Sequence, residues 1–368
     1  MIRVLFFTNI PSPYRVDFFN ELGKLCDLTV LYERSEADDR NAGWLKKDGN
    51  RHFKSIFLKG KKIRADSAFC LGVIRYWKSK EYDIKIVGDY ATPTGMLSCI
   101  YMRVCRIRYG IECDGGFIRN DEKKIVKLIK TVLLSKASFV FSPGKMTDRY
   151  VQSYGVNLEK IYRYPFTSLT REDIESAKES IITKNEIKKK LGIEEEKIVL
   201  SVGQMIYRKG FDILLESSKH LGENVGVYII GGEPRQEYID FVEKNQLKHI
   251  HFVRFQRKKD LMKYYLSADV FAFPTREDIW GLVIGEAMSF GLPVITTNRC
   301  VAGMELLRSG GGIIIPVDDS KALEEALQAI LNDDRLQKKY SNEGLEIIKG
   351  YTVEKMAKLH FDVLKRIL

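Results

Sequence analysis

Short apolar runs bounded by polar turns recur along the first half of the chain, with stretches of helical spacing between them. Ile2–Thr8, Asp27–Tyr32, Tyr82–Val87, Arg106–Glu112 and Ser138–Ser142 read as strands, and Val16–Leu25 and Lys145–Tyr154 as helices. The highly charged stretch Thr170–Glu196 reads as a helical linker. The alternation then restarts. Strands are predicted at Ile198–Val202, Val225–Ile230, His251–Arg254, Val270–Pro274, Pro293–Thr297 and Gly312–Val317. Between them fall helices over Gly210–Lys219, Glu237–Asn245, Asp260–Ser267 and Gly285–Phe290, with a last one at Lys321–Asn332. Such alternation predicts an α/β fold of parallel βαβ units, with ligands bound beyond the strand C-termini. Two similar halves predict two Rossmann-like domains, 1–170 and 171–352, with the amphipathic segment Val353–Leu368 packing back on the first.

Composition narrows the class. The chain has 368 residues, 45% of them hydrophobic, which suits two real cores and excludes a disordered protein. Six cysteines at 26, 70, 99, 105, 113 and 300 form no Cys-x-x-Cys pair and no zinc spacing, so reduced thiols in the cytoplasm are expected. The apolar opening Met1–Phe7 is too short for the core of an export signal. The longest uncharged stretch, Ala91–Met102, falls short of the roughly 18 apolar residues of a spanning helix.

The net charge is +11, and all the excess lies in residues 1–170, which hold 30 Lys and Arg against 18 Asp and Glu. That field favours an anionic partner, or else simply a soluble surface. Nucleic acid is not expected, because no recognised module or interleaved aromatic platform accompanies the charge. Residues 123–136 place lysines beside an apolar face at helical spacing. They suit a helix lying on an anionic membrane, or an ordinary helix packed on its domain.

Two stretches hold the candidate chemistry. In Phe271–Thr297 a strand ends at Pro274, an acidic loop follows, and Gly285-Glu286 is expected to open a helix. Backbone amides beside a helix N-terminus bind phosphate readily, and the carboxylates Asp278 and Glu286 suit sugar hydroxyls. The same two residues would also serve as a turn cap and a helix-dipole partner. In Val202–Phe211 a strand ends at Gly203, and Arg208-Lys209 precede a helix. Two cations there call for an anion nearby, or mark a solvated basic loop. Gly231-Gly232 reads as turn chemistry. His249 and His251 alternate on a strand without a third ligand, and no Asp-x-Asp occurs, so no metal is expected.

Asp278 to Glu286, continued by Ala287-Met288 and Gly291-Leu292-Pro293-Val294, together with Arg208-Lys209-Gly210, resembles the motifs of retaining glycosyltransferases of family 4 (glycosyl transferases group 1). The resemblance covers the whole chain. It implies the GT-B fold, with two Rossmann-like domains facing a central cleft, and no cofactor. It implies that Glu286 holds a ribose and that Asp278 faces the donor sugar. The backbone of Gly281, Leu282 and Val283 would line that sugar and its phosphate. Arg208 and Lys209, past the strand glycine Gly203, would neutralise the departing diphosphate, and Arg254 and Phe255 would lie against the base.

The chain departs from the family pattern at four places. Asp278 replaces Glu, and Gln204 replaces an Arg. Ile10–Arg15 replaces a Gly-Gly loop, with Pro13 and Arg15 at its end and Arg15 offering a positive charge. Asp114 stands where a His is usual, either to orient the acceptor or as a turn residue before Gly115.

The expected reaction is metal-independent transfer with retention, by a front-face route. It would move a sugar from a nucleotide-sugar donor, UDP-sugar preferred, to a lipid-linked oligosaccharide. This belongs to bacterial surface polysaccharide synthesis at the inner face of the cytoplasmic membrane. The alternative is a non-catalytic glycan- or membrane-binding relative, to which the departures at Asp114, Gln204 and Asp278 point.

Overall fold

The computed structural model describes residues 1–36, 51–119, 121–178, 183–222 and 224–368. It divides into two compact units, Met1–Thr170 with Thr352–Leu368, and Arg171–Tyr351.

The first unit contains β1 (Arg3–Thr8), β2 (Asp27–Tyr32), β3 (Lys54–Phe57), a hairpin of β4 (Lys61–Arg64) and β5 (Ser67–Phe69), then β6 (Ile84–Val87), β7 (Gly110–Glu112), β8 (Phe139–Ser142) and β9 (Ile161–Arg163). All but the hairpin form one parallel sheet in the order β3-β2-β1-β6-β7-β8-β9. Residues 4–8 of β1 and 28–32 of β2 are buried throughout, as a sheet covered on both faces requires. The expected strand over Arg106–Glu112 starts only at Gly110. Arg106 takes a left-handed φ of 55° that ends the helix Pro93–Val104. The first helix begins at Pro13, earlier than the hydrophobic spacing suggests, because proline at the first helical position is pre-set for it. The closing helix, Val353–Ile367, lies against that first helix.

The second unit contains β10 (Lys197–Val202), β11 (Val225–Ile230), β12 (Ile250–Val253), β13 (Val270–Phe273), β14 (Val294–Thr297) and β15 (Gly312–Ile315), all parallel, in the order β12-β11-β10-β13-β14-β15. Thr170–Glu196 is not a plain linker. It holds the helices Arg171–Lys178 and Lys184–Leu191, with 179–182 outside the described residues. The second of these is closed by a Thr183–Glu186 capping box, ends on Gly192 and buries Ile187. Its Lys184 pairs with Asp269 at 2.5 Å. Only a few apolar positions face inward, so charge dominates the pattern.

Strand order reverses direction between β1 and β6 in one sheet and between β10 and β13 in the other. In open parallel sheets such switch points open the crevice in which ligands bind. The loops after β10 and β13 are the two motif stretches singled out from the sequence.

Candidate functional site

After β10 the chain passes Gly203 and makes a tight 3-10 turn, Tyr207–Lys209. Gly210 then enters the helix Phe211–Ser217 with φ 70°. A Cβ at Gly210 would lie 2.0 Å from the Pro274 carbonyl oxygen, so glycine lets the two loops touch. After β13, Gly281 (φ 99°) turns the chain so that the helix runs over Leu282–Ser289. That helix starts three residues earlier than expected. Glu286 therefore sits in its second turn and not at its mouth, where Leu282 and Val283 stand instead. The Tyr265 hydroxyl donates to Glu286 Oε2 at 3.2 Å.

The Lys209 ammonium lies 2.5 Å from Asp278 Oδ2, over the Phe273 ring at 4.7 Å. Arg208 Nη1 is 3.4 Å from the same oxygen and donates to the Glu277 carbonyl at 2.5 Å. The Arg208 side chain remains 44% exposed against 12% for Lys209. Arg208, Lys209 and Asp278 thus form one cluster at the β10/β13 switch point, beside the N-terminus of Leu282–Ser289, whose first turn has no side-chain cap. Amides, a guanidinium and an ammonium there suit a diphosphate. Arg254 and Phe255 are not part of this cluster. They follow β12, two strands from β10, and Arg254 pairs with Glu233 at 2.7 Å on the exposed surface.

His249 contacts the Ser218 carbonyl at 3.0 Å and His251 the Glu195 carboxylate. Among the described residues no three His, Cys, Asp or Glu side chains are grouped to hold a metal ion.

In the first unit Arg15 is not open to a phosphate. In the first turn of a helix begun by Pro13, its side chain is 2% exposed and held by the Glu112 carboxylate and by Asp114 Oδ1 at 2.5 Å. Glu112 also receives His360 Nε2 at 3.1 Å, from the closing helix, and His360 Nδ1 lies 2.8 Å from the Met356 carbonyl. Phe18, Phe141 and Tyr164 box the imidazole, with ring centroids 4.8, 4.0 and 4.7 Å away.

Burial opposes ionisation of Glu112, but Arg15 and then His360 outweigh it and hold this carboxyl well below its usual range. At Asp114 burial wins over the pull of Arg15. With Glu112 and Asp89 adding repulsion, the carboxyl is pushed up to about 7. Tyr164 donates to it at 3.4 Å.

Glu112 and His360 carry no local signal in the sequence: one ends an apolar strand, and the other sits 248 residues away on an amphipathic helix. Glu33 is equally silent. It is buried past β2, where it accepts from Ala68 N at 2.7 Å and meets the Thr92 hydroxyl. Burial pushes its carboxyl up to about 7.

Residues 183–346 match the family model described as glycosyl transferases group 1. These residues are a group 1 glycosyltransferase domain, and the chain is a glycosyltransferase.

An uncharacterized glycosyltransferase of Haemophilus influenzae is 26% identical to it over 264 residues, 67% of this chain and 73% of the relative. A Campylobacter jejuni relative is 24% identical over 68% of this chain and 66% of its own length. It is named N-acetylgalactosamine-N,N'-diacetylbacillosaminyl-diphospho-undecaprenol 4-alpha-N-acetylgalactosaminyltransferase. Among solved structures, Anabaena HepE in complex with UDP and glucose superposes with a TM-score of 0.75 over 100% of both chains at 15% identity. At that identity the likeness speaks for the fold, which is the GT-B arrangement of two Rossmann-like units.

Proposed function

We propose that this glycosyltransferase moves a sugar from a nucleotide-sugar donor, UDP-sugar preferred, to a lipid-linked oligosaccharide in bacterial surface polysaccharide synthesis. Transfer is metal-independent and retains the anomeric configuration. The observation that carries the reading is the Arg208–Lys209 turn set beside an uncapped helix N-terminus at the β10/β13 switch point. As the glycosidic bond to the diphosphate lengthens, negative charge gathers on the leaving phosphate and positive charge on the anomeric carbon. Pre-placed cations and amide dipoles lower that barrier without reorganising. Asp278, poised on Lys209, faces the sugar hydroxyls, and Glu286 accepts from the ribose. The bound UDP and glucose of HepE and the diphospho-undecaprenol in the Campylobacter relative's name favour this donor and acceptor class.

Thermal unfolding against UDP, GDP, ADP and their sugar conjugates tests the reading. The correct nucleotide at 100 times its dissociation constant stabilises the protein by about 2.7 kcal/mol. If no nucleotide raises the midpoint, the reading fails.

The same proposal places the enzyme on the inner face of the cytoplasmic membrane. The helix Lys124–Leu134 buries only Leu133 and Leu134 at its end, while Ile125 and Leu128 are 60% and 58% exposed beside Lys123, Lys124 and Lys127. Lys130 is tied down by Glu122 at 2.5 Å. An apolar face turned outward among lysines favours an anionic bilayer over packing on the domain. No helix among the described residues is long and apolar enough to cross a membrane. Vesicles containing phosphatidylglycerol are expected to sediment the protein, and phosphatidylcholine vesicles to leave it in solution. Leu128→Glu should release it from the anionic vesicles. Equal partition to both vesicle types, or none, defeats this part.

A further inference from the structure

Arg276 lies in the loop after β13, inside the stretch Phe271–Thr297, where the sequence assigns it no role. All three of its guanidinium nitrogens face oxygen. Nη1 donates to the Tyr207 carbonyl and to Asp212 Oδ1, each at 2.8 Å, and Nη2 to Asp212 Oδ2 at 2.6 Å. Nε lies 2.7 Å from Asp318 Oδ1, an ion pair without hydrogen-bond geometry. The guanidinium carbon sits 3.8 Å from the centre of the Tyr207 ring, which is otherwise exposed. The backbone joins in: Arg276 N–H donates to the Arg208 carbonyl at 2.8 Å, and the neighbouring Thr275 hydroxyl to the same oxygen at 2.9 Å.

A planar fork with fixed donor directions therefore pins the turn Tyr207–Lys209 to three other parts of the unit. These are the loop after β13, the helix Phe211–Ser217 through Asp212, and the loop after β15 through Asp318. Both of its terminal nitrogens are engaged by the protein, through Tyr207 and Asp212, so its role here is to hold the turn in place. A lysine in its place would keep the charge and lose the fork.

We propose that Arg276 is a positioning residue for the nucleoside diphosphate. It holds the Tyr207–Lys209 turn rigid, so that Arg208 and Lys209 meet the diphosphate already aimed. This rests on the reading of Arg208 and Lys209 given above. Without the fork the turn orders only on binding, and that cost falls on ligands that engage both phosphates.

The test is calorimetric binding of UDP and UMP, with GDP and GMP alongside, well below the melting temperature of each variant. The pair that binds the wild type tighter is followed. Arg276→Lys is expected to weaken the diphosphate about 10-fold while changing the monophosphate less than about 2-fold. Asp318→Asn, at an exposed end of the same network, should shift the diphosphate-to-monophosphate ratio the same way by a smaller factor. It carries the test if Arg276→Lys does not fold.

A general structural role would lower the melting temperature and leave that ratio alone, and this result overturns the proposal. The double variant Arg208→Ala/Lys209→Ala separates the two layers. If it collapses the ratio while both network variants leave it unchanged, only the role of Arg276 falls. If it too leaves the ratio unchanged, the assignment of the turn to the diphosphate falls, and the role of Arg276 with it.

Discussion

Replacing Lys209 with alanine is expected to lower the turnover of sugar transfer about 100- to 1,000-fold, the usual loss when one pre-placed donor to a developing oxyanion is removed. The ammonium is largely withdrawn from solvent, between Asp278 Oδ2 at 2.5 Å and the face of Phe273. In that environment its field is screened far less than in water. The diphosphate is more negative once the sugar has departed than while bonded to it. The interaction therefore strengthens along the reaction, and kcat should fall more than donor affinity. Arg208, 3.4 Å from Asp278 and more exposed, is placed to retain part of the effect. Release of nucleoside diphosphate under saturating donor measures it. Turnover within about 5-fold of wild type would remove Lys209 from the chemistry.

Arg15→Met should destabilise the first unit by about 3–5 kcal/mol, read from the midpoint of urea unfolding. The guanidinium is what makes the Glu112 carboxylate tolerable at a fully buried position, and it also faces Asp114. Taking it away leaves one charge in the core with His360 alone for company, while Asp114, already pushed up to about 7 by burial, loses the cation that favours its ionised form and takes up a proton. Replacing the whole core set, Arg15→Met with Glu112→Leu and His360→Phe, should recover most of that loss, because no unpaired charge remains and the third side chain enters an existing aromatic box. A loss below about 1 kcal/mol for Arg15→Met would mean that water reaches Glu112 after all.

The α/β class and the two motif loops were legible because they are written locally. A buried parallel strand is a short apolar run, and a glycine with left-handed φ, such as Gly210 or Gly281, marks a tight connection wherever it occurs. Boundaries were less legible. Pro13 starts its helix before the hydrophobic pattern begins. Gly281 lets Leu282 open a helix that seemed to begin at Gly285, which moves Glu286 from the mouth into the second turn. The charge-rich stretch from 171 onward reads as linker until Ile187 is seen to be buried. The hairpin of β4 and β5, short and half exposed, has too few alternating positions to announce itself.

Residue types and their order along the chain determined the alternation of strands and helices, the placing of Arg208, Lys209 and Asp278 on loops at strand ends, and the outward lysines of Lys124–Leu134. Tertiary structure alone decided which charges are spent on one another. Arg15 looked available and is consumed by Glu112 and Asp114, whereas Arg276 looked incidental and ties three loops together. His360 meets Glu112 only because the closing helix lies against the first one. Pairings of this kind depend on distance in space. Chain separations of 64 residues between Arg276 and Asp212 and 248 between His360 and Glu112 leave no periodic trace for a local pattern to reveal.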